Sequence, residues 1–329
     1  MRKLATIRRI DAIKPIEGAD AIQLAVFSGW QSVVKCDENY KVGDLVVYCE
    51  IDSKFPEKPE YEFLRSDKFI LRTRKFRGAI SQGLVLRIPN DITPDVGMDV
   101  TEHLGITLYE APIPANLSGQ IAGKFLSSIP KTDEERIQNL DINELKGRNY
   151  WISEKVDGSS LTFAYDNLFH VMGRNWEYKE TADQTFWKLA RKYEIETKMR
   201  AFYERTGRHI ALQGECIGES IQGNPYKLKG QDYYIFNCFD ITNQKYCLPQ
   251  EVKDIANEFG LKHVPIIDSC FSIDDMNCEQ LLAIAEAPSL INPISSREGL
   301  VFKSLEEVGC MGKISFKCIS NKYLLKHGG

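Results

Sequence analysis

The stretch Trp151-Ile152-Ser153-Glu154-Lys155-Val156-Asp157-Gly158 joins the end of an apolar run to a lysine, a carboxylate and a glycine. A lysine amine is a nucleophile only when neutral, and an unperturbed lysine, with a pKa of about 10.4, is almost wholly protonated at pH 7. Lys155 can therefore do covalent chemistry only where its site depresses that pKa, as neighbouring cations would by repelling the ammonium form. Taken alone, Lys-x-Asp-Gly also fits a charged hairpin turn with Lys155 and Asp157 solvated. Its ordered company downstream shifts the balance: Arg174 in Met172-Gly173-Arg174-Asn175, Glu215 in Leu212-Gln213-Gly214-Glu215, Phe236 in Tyr234-Ile235-Phe236-Asn237, Glu298 in Arg297-Glu298-Gly299-Leu300, and Lys317 in Ile314-Ser315-Phe316-Lys317. Asp157, Glu215 and Glu298 are suited to hold a hydrated Mg²⁺ through its waters, because that ion prefers oxygen ligands and keeps much of its shell. The planar fork of Arg174 suits an oxyanion.

These residues need a framework to bring them together. From residue 4 to about 89, short apolar runs at 24–27, 31–34, 44–49, 68–71 and 83–86 are separated by turn residues, and Gly43 directly precedes one run. That spacing predicts short strands closing into a small OB-fold barrel over residues 1–110. Residues 111–130 are richer in Pro, Gly, Ala and Ser, without a sustained period, and read as a linker. Residues 131–329 then alternate strands with a few helices. Thr132 and Glu135 fit a capping box opening a helix over 133–140. Helical spacing over 181–206 stops at Gly207, and helices are also expected near 249–259 and 277–285. The fold class is α+β: an N-terminal OB-fold β-barrel, then a domain of antiparallel sheets with flanking helices.

With 329 residues and 43% hydrophobic content the chain can bury a full core, and its length suggests two domains. No apolar run approaches the roughly 18 residues of a membrane span, and Met1-Arg2-Lys3-Leu4 lacks a signal-peptide stretch, so a cytoplasmic location without a membrane partner is expected. The nine cysteines stand singly, without a CxxC pair, and are expected to be reduced and mostly buried. A net charge of −4 gives no global attraction to nucleic acid, so such a partner must be argued from local patches. One exists: Arg65, Lys68, Arg72, Arg74, Lys75 and Arg77 surround Phe69 and Phe76, a basic strip with aromatics of the kind single-strand binders use. Its bland alternative is a strand with charged outer residues. Arg72, Arg74 and Arg77 are the RNA-binding candidates.

The ordered segments around Lys155, Arg174, Glu215, Phe236, Glu298 and Lys317 resemble the nucleotidyltransferase motifs shared by DNA ligases, RNA ligases and mRNA capping enzymes. Within that superfamily the chain is most similar to ATP-dependent RNA ligases with an OB domain before the catalytic domain, the fifth family of such ligases. DNA ligases and capping enzymes usually place an OB domain after the last motif, whereas only twelve residues follow Lys317 here. The resemblance implies an adenylyltransferase (ATP-grasp-like ligase/capping) domain over 131–329, ATP and Mg²⁺ or Mn²⁺ as cofactors, and RNA as partner; no protein partner is inferred. It implies Lys155 as nucleophile, with Lys317 assisting it at the catalytic centre. ATP would be bound by Glu154, Lys155, Arg174, Glu215, Phe236, Glu298 and Lys317, and the metal by Asp157, Glu215 and Glu298 through water. Phe236 would stack on adenine, with Phe239 as the alternative. Many relatives carry Lys-x-Lys where this chain has Ser315-Phe316-Lys317, so Lys313 or Lys303 would supply the second charge, or Lys317 would work alone. Lys131 and Arg136 are candidates to meet the outgoing pyrophosphate. Two rival readings are a GTP-using capping-type guanylyltransferase and a non-catalytic OB-fold RNA-binding protein.

Overall fold

The structure, a computed structural model, describes residues 3–109, 119–309 and 311–327. Residues 111–118 of the expected linker, and Cys310, lie outside the described residues. The chain divides into two units, Met1–Pro112 with Asn321–Gly329, and Ile113–Ser320.

In the first unit the strand Leu45–Glu50 pairs antiparallel with Ala5–Arg9 on one side and Gly83–Leu86 on the other. Side chains alternate across a strand, and both faces here are apolar. Val47 and Cys49 join a core with Leu4, Ile7 and Phe55, while Val46 and Tyr48 join Phe27 and Trp30 in another. A meander of Ala12–Ile16, Ala19–Phe27 and Trp30–Lys35 supplies that second cluster. Residues 68–71 are not a strand: Lys68 and Phe69 have φ of 55° and 60°, a left-handed turn ending the 3-10 helix Pro59–Asp67. Phe69 is thereby buried, whereas Phe76 stays 42% exposed on the hairpin Arg74–Phe76/Ala79–Ser81. Arg72 and Arg74 are exposed beside it, Arg74 in an ion pair with Asp67, and Arg77 forms the hairpin turn at φ 46°.

The second unit holds two sheets. The larger, eight-stranded one contains, among others, Phe169–Met172, Ser159–Tyr165, Ile210–Gly218 and Gln231–Asp240. Helices Thr185–Lys192, Ile195–Thr206 and Pro249–Phe259 cover one of its faces, where Leu161, Phe163, Leu212 and Ile235 pack against Leu189, Met199, Phe202 and Ile255. The smaller sheet runs Glu135–Arg136, Ser315–Ile319, Gly299–Ser304, Asn149–Lys155, Ile266–Ser272. Its core of Tyr150, Ile152, Leu300, Phe302 and Phe316 packs on Leu281, Leu282 and Ala285, in and just after the helix Cys278–Ile284.

Several expectations change. Residues 133–140 are not helical: Glu135–Arg136 is a strand and Ile137–Asn139 a 3-10 turn. The capping-box geometry is lost because the Glu135 carboxylate serves the Arg136 amide and Asn139 instead. The helix of 181–206 is broken by Glu194 at φ 54°, while Gly207 caps it in the left-handed region as expected. Ile121–Lys124, placed in the linker by composition, is an edge strand paired with Trp176–Tyr178. The helix Asn321–His327 groups with the first unit, not the second. Of the described cysteines, all free, Cys49, Cys216, Cys238, Cys247 and Cys318 are buried and Cys270 is exposed. No described helix is long and apolar enough to cross a membrane.

Candidate active site

Lys155 is the last residue of the Asn149–Lys155 strand, whose alternation buries Tyr150 and Ile152 on one side and turns Ser153 and Lys155 toward a cavity on the other. The chain then crosses to the larger sheet, where Ser159 pairs with Cys216. Gly158 is needed for that crossing, since a Cβ there would lie 2.5 Å from the Cys216 carbonyl oxygen. The Asp157 amide donates to the hydroxyl of Tyr226, 2.7 Å away, and Tyr226 is only 2% exposed. Across the smaller sheet Lys155 is paired with Gly299, which places Glu298 beside it, and the Lys155 Nζ donates to Glu298 Oε1 at 2.6 Å.

The cavity is lined from both sheets by, among others, Glu154, Lys155, Arg174, Glu215, Phe236, Val301, Lys303 and Lys317. Asp157 does not line it but acts electrostatically on Lys155 and Glu215. Phe236 is half-buried in its wall, whereas Phe239 is 2% exposed in a core with Ala164 and Tyr246. A register shift at Gln213/Gly214 interrupts the pairing of these strands beside Phe236.

The electrostatics are those of a site short of partners. Burial works to lower the Lys155 pKa, but Glu298, with Glu215 and Asp157, overrides it and holds the amine above its ordinary value. Burial pushes Glu215 up to about 8 against the pull of Lys155, and Glu298 and Asp157 push the same way. Glu215 Oε2 is buried without a hydrogen-bond partner, as is Glu154 Oε1. The other Glu154 oxygen accepts from the Leu290 amide at 2.8 Å. Glu298 and Asp157 both act on Glu215, whose Oε2 is unpartnered, and these carboxylates suit a hydrated divalent ion, which would oppose their field on Lys155. Among the described residues no group of three or more His, Cys, Asp or Glu side chains is arranged to hold a metal ion directly.

The missing second lysine has a structural counterpart. Ser315 donates to Glu134, which also receives Lys313 Nζ at 2.9 Å. Lys303 lies 5.6 Å from the Phe236 ring centre and donates to the Phe236 carbonyl. Burial, then repulsion from Lys313, drop the Lys303 pKa to about 7 against the pull of Glu134. Arg174 is half exposed and paired with Asp133. Lys131 donates to Asn175, and Arg136 is buried in the strand aligned with Lys317. The cavity thus gathers Glu154, Lys155, Arg174, Glu215, Phe236 and Lys317, with Glu298 joined to it through Lys155; Arg72, Arg74 and Arg77 belong to the first unit. Sequence reading missed Tyr226, Asp133 and Glu134, for which only a position in an irregular segment was available as a signal.

An RNA ligase family profile matches residues 148–319, and an OB-fold domain profile matches residues 4–88. No curated protein matches the chain. Among solved structures, a mutant RNA ligase of Naegleria gruberi with AMP and Mn is 45% identical, with a TM-score of 0.87 and 98% of each chain covered. A second mutant of that ligase, with ATP and Mn, has a TM-score of 0.86 at the same identity and coverage. The same ligase with PPi superimposes with a TM-score of 0.87, at 45% identity and 99% of each chain covered.

Proposed function

The chain belongs to the RNA ligase family, and on that premise we propose that it is an ATP-dependent ligase that seals RNA 3′-hydroxyl and 5′-phosphate ends through a lysyl-AMP on Lys155. The observation that carries the reading is the Lys155 amine, 2.6 Å from Glu298, in a cavity with an aromatic wall and unpartnered carboxylate oxygens.

In the first step Lys155 Nζ, having lost its proton, forms a bond to the α-phosphorus of ATP while the bond to the pyrophosphate oxygen breaks in line. Lys317 on the cavity wall stabilises charge on the α-phosphate, with Lys303 as the second cation of the site. Phe236 stacks on the base. Glu154 Oε1, a buried acceptor, pairs with the exocyclic amine of adenine, whereas guanine would set a carbonyl oxygen against it; this favours ATP over the capping-type GTP reading. Asp157, Glu215 and Glu298 would hold a hydrated Mg²⁺ or Mn²⁺, which would supply charge neutralisation at phosphorus. Next, the phosphate oxygen of the RNA 5′ end attacks the lysyl-bound phosphorus, the N–P bond breaks, and a 5′–5′ pyrophosphate linkage forms. Last, the 3′-hydroxyl attacks the activated 5′-phosphate, AMP leaves and the phosphodiester is complete. We take the substrate to be a nicked duplex with RNA on the 3′-hydroxyl side, and Arg72, Arg74 and Arg77 of the first unit to contact RNA phosphates.

The test is incubation with α-³²P-ATP and Mn²⁺ or Mg²⁺, beside Lys155→Ala. Acid-labile label on the wild-type polypeptide, absent from the variant, is expected. A wild type that takes label from neither ATP nor GTP would overturn the reading.

A further inference from the structure

The residues flanking Lys155 are held by two loops that meet each other. Glu154, 1% exposed, accepts the Leu290 amide on one oxygen at 2.8 Å, and Ser289 bonds the same carboxylate. Two residues beyond Lys155, the Asp157 amide donates to the Tyr226 hydroxyl at 2.7 Å. Leu290 belongs to a loop over 286–297 and Tyr226 to a loop over 219–230, segments without helix or strand. The loops are tied at two points. Asn292 Nδ2 donates to the Tyr226 carbonyl at 2.9 Å, and Ser295 Oγ donates to the Pro225 carbonyl.

Polar bonds, more than apolar burial, seat the first of these loops. Leu290 and Ile294 are 58% and 79% exposed, and of its three large aliphatic residues Ile291 alone packs inward, beside Val156, Tyr226 and Val264. At the base Arg297 Nε donates to the Ala285 carbonyl at 3.0 Å, and the Ser289 amide to the Ser295 carbonyl at 2.8 Å. These bonds close the loop on itself, while Asn292 and Ser295 hold its tip against the second loop. The groups that favour the ionised form of Glu154 against burial are Ser289, Leu290 and Arg297, all from this one segment. Glu154 Oε1 is buried without a partner, so the direction in which the carboxylate faces the cavity depends on where the loop sits.

We propose that Asn292 is a positioning residue for base selection, seating the 286–297 loop so that Glu154 presents Oε1 to the 6-amino group of adenine. The proposal rests on the reading of Glu154 as the partner of that amine. Ser295 acts in the same way from the neighbouring carbonyl. Tyr226 meets Asn292 through its carbonyl and Asp157 through its hydroxyl, so the reading of the base and the carboxylate beside the nucleophile share one support.

The test is equilibrium binding, in full-length protein carrying Lys155→Ala so that no adenylylation follows. ATP and purine riboside 5′-triphosphate, which lacks only the 6-amino group, are titrated by calorimetry with Mg²⁺ present. Asn292→Asp keeps the Oδ1 that accepts the Ile294 amide at 3.1 Å and removes the donor to Tyr226, and Asn292→Ala removes the donor without adding charge. Both should weaken ATP about three- to tenfold and leave the analogue within about twofold. Ser295→Ala should shift the ratio in the same direction. In a Glu154→Gln background the Asn292 variants should change the ratio no further, because both residues act on one contact. Equal weakening of the two nucleotides, as a general loosening of the loop would give, overturns the proposal; so does an unchanged ATP affinity, or a full effect in the Glu154→Gln background. Equal binding of the two nucleotides before Asn292 is altered would remove the Glu154 reading and the proposal with it. Absence of lysyl-AMP from protein that retains Lys155 would instead strike the ligase reading and leave this binding result standing.

Discussion

Glu215 stands in the cavity wall with its carboxyl pushed from an ordinary 4.5 to about 8, first by burial and then by Glu298 and Asp157. For an acid whose folded pKa is raised, the folded state binds the extra proton. Stability is then greatest below the unfolded pKa and is eroded as pH rises from about 4.5 toward 8. At about 1.36 kcal/mol per pH unit the full effect at pH 8 is at most about 5 kcal/mol; access of cavity water cuts it, and 2–3 kcal/mol is a working figure on the order of half. Glu215→Gln removes the charge and keeps the shape, so the ligand-free variant should melt above the wild type by about 5–10 °C at pH 8. At pH 5.5 the gain should shrink to about 1–2 °C, because little of the window has been crossed. Lys155 does not confuse the comparison: its raised pKa contributes stability that is lost only above pH 10.5. Mn²⁺ should raise the wild-type melting temperature more than that of the variant, narrowing the gap. Thermal melts at pH 5.5 and 8, with Mn²⁺ or EDTA, decide it. A variant no more stable than wild type at pH 8 in EDTA would refute the idea that this acid is held at a cost.

Tyr226→Phe keeps the buried ring but leaves the Asp157 amide without its acceptor, so lysyl-AMP formation should slow about five- to tenfold with the half-saturating Mn²⁺ concentration raised and the ATP KM unchanged; an altered melting temperature with normal kinetics would speak for a purely structural role. Phe236→Ala should raise the ATP KM at least about tenfold with little loss of stability, while Phe239→Ala, emptying a core position, should cost about 3–5 kcal/mol in denaturant unfolding. Lys303, whose pKa is lowered to about 7, costs stability that grows as pH falls from 10.5 toward 7, so Lys303→Met should stabilise the chain at pH 7, lose that advantage by pH 10, and raise the ATP KM if the amine serves the nucleotide; equal ATP KM values in labelling titrations would remove it from the site.

The parts of the site legible in the sequence are those that a few adjacent residues determine. Lys155 could be placed at a strand end because the apolar alternation of Tyr150, Ile152 and their neighbours stops there and Gly158 follows. The helix Pro249–Phe259 was legible because its buried positions keep helical spacing between a proline and Gly260. By contrast, Glu134 meets Ser315 across 181 residues and Tyr226 meets Asp157 across 69, and neither pair has a local pattern. The failed helix over 133–140 has the same cause: Glu134 is committed to Lys313 and Ser315, and Glu135 to Arg136 and Asn139, so tertiary and local side-chain bonds outcompete a capping signal of about 1 kcal/mol. At 68–71 the apolar run was real, but Phe69 and Leu71 enter the core from a turn rather than a strand.

Several residues that the sequence did mark share a feature only the structure shows: strongly perturbed charges in one ligand-free cavity. Lys155 is held too basic, Glu215 too weakly acidic, and Lys303 too easily deprotonated, all within one cavity. A fold selected only for stability would replace such a set with apolar groups of similar volume. On the proposed reading a nucleotide would bring anionic oxygens to Lys303, Lys317 and Arg174, and a divalent ion a cation to Glu215 and its neighbours. On that reading ligand binding would relieve internal repulsion, and Lys155 would leave Glu298 as that relief arrives.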